Sequence, residues 1–196
     1  MRLLRTAAVG AIAIGLPLAI AACGSSPSSV RTTSAGPATV SANALVGAGC
    51  KAIPATTISA LRRGKGIADV LKNPMFEQLF KEVGKGNVGP LFNSMGQLTI
   101  IAPTNRAFTK MPKAMANSLK TSNNLMMTLR GLVVGLRITP EMYIKGARVP
   151  SLAGNLIHFT RPGNTYEVNG TQVECGNIKV GTATVYIVGS VLSLPK

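Results

Sequence analysis

Cys50 and Cys175 stand near the two ends of the stretch of this chain able to build a core, so a bond between them would close nearly the whole fold into one loop. Whether they pair depends on the compartment, and the N-terminus sets that. Met1, Arg2, Leu3, Leu4 and Arg5 precede an apolar run from Ala7 to Ala22, the pattern of a basic n-region followed by the h-region of a secretory leader. Export carries a chain to where disulfides form and persist. With Cys23 set aside, Cys50 and Cys175 are an even pair and are expected to bridge. Two unpaired buried thiols are the alternative. A metal site has less behind it, since the chain has no CxxC spacing and one His. Closing so long a loop stabilises by about 4 to 5 kcal/mol on the chain-entropy account.

The leader ends in Ile20, Ala21 and Ala22 before Cys23, which resembles the bacterial lipobox, a small apolar tripeptide ahead of an obligatory cysteine. The resemblance implies cleavage after Ala22 and a lipid on Cys23. The protein would then face the extracytoplasmic side of the cell membrane, with shedding to the extracellular space as a second fate. An ordinary leader cleaved without lipid and a permanent spanning helix are the alternatives. Against the second, the apolar stretch is shorter than the roughly 20 residues a spanning helix needs, and Pro17 interrupts it. The expected organisation is a leader over 1–22, a lipidated cysteine and a Ser/Thr/Ala/Gly/Pro tether over 23–48, and one folded domain over 49–196. As a coil, the tether holds the domain roughly 25 to 30 Å from the lipid on average.

The formal charge is +15, of which Arg2 and Arg5 in the leader contribute two. So basic a surface favours anionic partners. Nucleic acid does not fit: an exported chain meets little of it, and this one has no Trp and no nucleic-acid motif. Anionic lipid or an envelope or extracellular macromolecule fits the compartment, each basic residue near an anionic leaflet adding about 1 kcal/mol of attraction. Arg62, Arg63 and Lys65 form the densest basic cluster and are the candidate anion-contact patch, with a plain solvated face as the alternative.

Asn73 followed by Pro74 reads as a cap and first helical position, opening a helix that runs toward Gly84. Phe76, Leu79, Phe80 and Val83 recur on its apolar face. A second helix is expected from Pro112 and a third from Ser122 to Val134, with Leu125, Met126, Leu129, Leu132 and Val133 on the buried side. After Gly146 the pattern turns to short β-like runs, NLIHFT, TYEV, TQVE and ATVYIVGSVL, with Asn169 and Gly170 set as a two-residue hairpin turn and Pro162–Gly163 as an earlier one. Helices first and strands later give an α+β class with a largely antiparallel sheet.

Chemistry has little to work with. The chain has one His, the single Asp69 and five Glu residues. His158 lies within an alternating strand pattern, and no triad, carboxylate pair or phosphate loop is legible, so no enzyme and no cofactor is expected.

From Gln97 the chain reads QLTIIAPTNRAFTKMP, which closely resembles the first signature box of the fasciclin (FAS1) domain. In physical terms Leu98, Ile100 and Ile101 supply a buried strand, Pro103 ends it, Thr104 or Asn105 caps the next turn, and Phe108 returns to the core. The terminal ATVYIVGSVLSLP resembles the second box, so the likeness spans Gly49 to Lys196. It implies a FAS1-type wedge, an antiparallel β-sandwich-like sheet with helices packed along one side, serving adhesion and not catalysis. The likeness extends to secreted and lipid-anchored mycobacterial fasciclin proteins, whose cysteines before the first helix and after the VNG-type hairpin match Cys50 and Cys175. Two positions depart from the family. Gly131 and Leu132 replace its Tyr-His pair, and Gly189 replaces an acidic residue, which implies that a buried polar contact gave way to apolar packing. The alternative role is binding an envelope lipid or other amphipathic ligand in an apolar groove between helices and sheet.

Overall fold

The computed structural model describes residues 40–86, 92 and 95–192, all within a compact unit that begins at Thr39. The leader and Cys23 lie outside the described residues.

Residues 40–48, expected as the end of the tether, belong to the folded unit. Val46 is 3% exposed, and it exchanges backbone hydrogen bonds with Gly176, donating at 3.2 Å and accepting at 2.7 Å. The Asn177 amide donates to the Ala42 and Ala44 carbonyls at 3.0 and 2.7 Å. Gly47 makes this approach possible. Its φ is 102°, and a Cβ there would stand 2.5 Å from the Glu174 carbonyl oxygen. A single 3₁₀ turn, Ala48–Ala52, then carries Cys50 into a disulfide with Cys175 (S–S 2.02 Å).

Helix α1 (Ala55–Arg63) buries Ile58 and Leu61 and lies along the strand Thr171–Val180. Helix α2 (Ile67–Leu71) buries Ile67, Val70 and Leu71. Asn73 caps as its position suggests, its side chain accepting from Met75 N at 3.1 Å. The chain makes a 3₁₀ turn (Pro74–Phe76) before helix α3 (Glu77–Gly86). Phe76, Leu79 and Val83 are buried there, but Phe80 is 52% exposed. The initial 3₁₀ turn advances the chain faster per residue than an α-helix, so a single 3.6-residue stripe does not hold from Phe76 onward.

Strand β1 (Leu98–Pro103) is buried throughout. Thr104 caps helix α4 (Asn105–Thr109), accepting from Ala107 N at 3.3 Å. Ala107, not Phe108, is the fully buried residue of this turn; Phe108 is half-buried. Helix α5 (Lys113–Ser118) follows Pro112, and helix α6 (Ser122–Gly131) buries Leu125 and Leu129. The helix expected to reach Val134 stops at Gly131, and Val133–Val134 form strand β2 against β1. Their two β-branched side chains suit a strand, and both are fully buried, so apolar spacing alone does not separate the two states.

After helix α7 (Pro140–Ile144) come β3 (Arg148–Pro150), β4 (Leu156–Thr160), β5 (Glu167–Val168), β6 (Thr171–Val180) and β7 (Ala183–Val188). The seven strands run β2-β1-β7-β6-β5-β4-β3. All neighbours are antiparallel except β1 and β7, which pair in parallel from Leu98↔Ala183 to Pro103↔Val188. That pairing joins segments too distant for a hairpin and sets the architecture as α+β with a mixed sheet.

Asn169 (φ 48°) and Gly170 (φ 73°) make the hairpin turn between β5 and β6. Asn169 also accepts from His158 N through its side chain at 2.8 Å and donates its own N–H to the His158 carbonyl at 2.9 Å. The turn residue thus fastens the hairpin to β4.

Tyr143 sits among three rings, with centroids 5.2 Å from each of Phe159, Tyr166 and Tyr186. Burial holds the phenols of Tyr143 and Tyr186 well above their ordinary pKa, so both stay neutral. The Tyr143 hydroxyl is buried and has no hydrogen-bond partner. Tyr143→Phe is therefore expected to raise unfolding stability by about 1 to 2 kcal/mol, since it removes an unsatisfied polar group and keeps the ring. Urea denaturation checks this, and a loss of stability would refute it.

Candidate anion-contact surface

Arg62 and Arg63 occupy the last turn of α1, both exposed, and Lys65 follows on the link to α2. The link is fixed by two glycines. A Cβ on Gly64 would meet Val180 at 2.8 Å, and one on Gly181 (φ +57°) would stand 2.0 Å from the Lys65 carbonyl oxygen. The β6–β7 turn thus rests directly on the backbone of Lys65. Asp69 completes the link, accepting from Lys65 N at 2.8 Å. That bond and Lys72 hold its carboxyl below the ordinary aspartate value.

Around this turn lie two adjoining recesses. One, about 260 Å³, is lined by Lys65, Asp69, Phe92, Met95, Thr182 and Ala183 among others. The second, about 210 Å³, is lined by Gln97, Arg137, Lys179, Gly181, Thr182, Ala183 and Thr184. The fold therefore places Lys65 beside two further cations, Arg137 and Lys179, that sequence reasoning missed. Isolated basic residues on separate elements carry no local signal, and the parallel β1–β7 pairing that gathers them joins strands far apart in the chain.

Three ion pairs form among the described residues, Lys72–Asp69, Lys81–Glu77 and Lys85–Glu82. Arg62, Arg63, Lys65, Arg137 and Lys179 take part in none of them. Among the described residues, these five cations are not neutralised by an ion pair within the fold.

A larger cleft, about 460 Å³, lies between α3, α5 and α6 and the loop after α4. Phe108, Met111, Leu119 and Leu125 give it apolar walls, while Glu82, Lys85 and Lys120 add charge. It opens between helices, not between helices and sheet.

His158 is half-buried in β4, and no group of His, Cys, Asp and Glu able to hold a metal occurs among the described residues. No helix among the described residues is long and apolar enough to cross a membrane. Of the two family departures, Leu132 is packed as an apolar core residue. Gly189 is different. A Cβ there would lie 2.3 Å from a Glu174 carboxylate oxygen, so an acidic group from β6 occupies that space and the replacement is not purely apolar.

Comparison with known proteins agrees with this architecture. The chain is 30% identical to the immunogenic protein MPB70 of Mycobacterium bovis, over 77% of this chain and 83% of that protein. It is 29% identical to the cell surface glycolipoprotein MPB83 of the same species, over 84% of this chain and 81% of the relative. Among solved structures, a FAS1 domain pair from the insect cell adhesion molecule fasciclin I superposes with a TM-score of 0.52 at 20% identity, covering 63% of this chain and 47% of that one. The fasciclin domain model matches residues 74–195, from the 3₁₀ turn before α3 to beyond β7, and the chain belongs to the fasciclin-domain family.

Proposed function

We propose that this protein is a lipid-anchored cell-surface fasciclin module that contacts anionic envelope or extracellular macromolecules through its basic surface, and is not a catalyst. The observation that carries the reading is the set of cations around the β6–β7 turn, contributed by separate elements and in no ion pair among the described residues. A chain that only needed solubility would have no reason to gather them. The likeness to a relative named as a cell surface glycolipoprotein, together with the lipobox-like residues before Cys23, supports the anchor.

The test has two arms. Cys23→Ala moves the protein out of the membrane fraction, whereas retention would point to an uncleaved leader. In the second arm, a soluble fragment beginning at Thr39, where the compact unit begins, is floated with phosphatidylglycerol and with phosphatidylcholine vesicles. A fragment beginning at Gly49 would lack the Val46 pairing. Binding is expected to the anionic vesicles alone and to fall about tenfold between 0.05 and 0.5 M salt, as screening shortens toward roughly 4 Å. Salt-resistant uptake of single lipid molecules would favour the second reading, an amphipathic ligand held in the 460 Å³ cleft. The apolar walls there, with Lys85 and Lys120 beside them, are what favour that alternative.

A further inference from the structure

Thr99, Thr184 and Lys179 are neighbours in one row across β1, β7 and β6. Directly paired residues leave the same face of a sheet, so the three side chains share a face. Thr99 uses its hydroxyl on the chain passing over that face. It donates to the Leu136 carbonyl at 2.8 Å and accepts from Ile138 N at 2.8 Å. Two residues along β7 from Thr184, the Tyr186 hydroxyl donates to the Ile138 carbonyl at 3.0 Å. Arg137 is thereby fixed through the main chain of both its neighbours, by two side chains that are themselves fully buried.

Its guanidinium takes part in no ion pair among the described residues. Nε of Arg137 is buried and has no hydrogen-bond partner. Lys179, across the same 210 Å³ notch, donates to the side-chain oxygen of Asn43, a neutral group. Gln97, Thr182 and Thr184 add neutral donors, and no carboxylate lines the notch among the described residues. Asp69 lines the adjoining recess, where Lys65 N and Lys72 engage it.

A rigidly held arginine that shares the lining of a notch with a lysine, with no carboxylate among the described lining residues, has the chemistry of an oxyanion seat. We infer that this notch binds the phosphate group of a small ligand. Its volume suits a phosphate with a rider of about sugar size, well below the roughly 300 to 1,000 Å³ of pockets that enclose drug-sized ligands. The inference rests on the reading of the domain as an anion-contacting module and names where the contact is specific. The phosphate can come from a lipid headgroup or from a soluble sugar phosphate.

The whole chain, purified in a non-ionic detergent, is titrated with inorganic phosphate while the arginine Nε–H resonances are followed. One resonance, assigned by its loss in Arg137→Gln, is expected to shift saturably. Lys179→Gln is expected to weaken the affinity about tenfold, and Lys113→Gln, at an exposed cation of α5 outside the notch, to leave it unchanged. Displacement by glucose 6-phosphate identifies a soluble source, and displacement by dihexanoyl phosphatidylglycerol but not its choline analogue identifies a lipid headgroup; either supports the seat. Shifts that do not saturate, that spread over many arginines, or that are indifferent to Lys179→Gln overturn it, and the lysine variant keeps the test decisive should Arg137→Gln not fold. Vesicle binding by the soluble fragment that survives both substitutions, in a protein whose phosphate shifts do not saturate, would remove the seat and leave the basic-surface reading standing. A saturable shift of Arg137 in a protein whose fragment floats with no vesicle would do the reverse.

Discussion

Replacing Cys50 with serine is expected to lower the melting temperature by roughly 10 to 20 °C, without preventing export. The bond it removes spans 125 residues of sequence. Chain-entropy reasoning gives such a cross-link about 5 kcal/mol, and a domain of this size loses about 2 to 4 °C per kcal/mol. The loss is concentrated in the unfolded state, which gains the freedom of the opened loop, so the folded sheet keeps its pairing. Cys175, fully buried in β6, is left as a small apolar thiol and adds little further penalty. Thermal melts of the wild type with and without reductant, of Cys50→Ser and of the double serine variant provide the check. Reduced wild type should melt with the variants, and coincidence of all four curves would show that the bridge contributes nothing.

Thr99→Val should cost about 2 to 4 kcal/mol in urea unfolding, although it preserves shape and β-branching in a strand that favours both. The hydroxyl it deletes serves two main-chain groups at once, the Leu136 carbonyl and the Ile138 N–H. Each is left without its partner, the Ile138 N–H at a buried site and the Leu136 carbonyl at a part-buried one, at about 1 to 3 kcal/mol for an unsatisfied group. A cost under 0.5 kcal/mol would mean that water or a shifted loop replaces the hydroxyl. Because the segment it releases carries Arg137, the phosphate response of that arginine should weaken in the same variant, with the guanidinium itself intact.

Features governed by local chemistry could be read from the sequence. Asn73 before Pro74, Thr104 after Pro103 and the Asn169–Gly170 turn each work through bonds to residues two or three positions away or through their own φ, and each stands where the residues placed it. Legibility failed where tertiary pairing decided the outcome. Leu132, Val133 and Val134 continue the apolar spacing of α6, and only the position of β1 beside them turns the last two into a strand. Helix α1 is nine residues long and buries only Ile58 and Leu61, so its apolar face is a single pair of side chains. Val46 looks like one more residue of a low-complexity tether until Gly176 and the bulged part of β6 give its backbone a partner. For the candidate site the same division holds. The run Arg62, Arg63, Lys65 is visible as a cluster, whereas Arg137 and Lys179 meet it only through the parallel contact of β1 with β7 and the docking of Gly181 on Lys65.

The Cys50–Cys175 bond also determines how the domain would bear a mechanical load. Tension applied from the N-terminal side first meets the pairing of Val46 with Gly176 and the two Asn177 bonds, which can peel one after another. It then reaches a covalent link that passes the force straight into β6, a strand hydrogen-bonded on both sides by β5 and β7. The described elements between the two cysteines, including helices α1 to α7 and the edge strands, lie off that path. A domain tugged at a cell surface would give up a short length of leash and then hold, with the β6–β7 turn and its cations kept in place while the pull lasts.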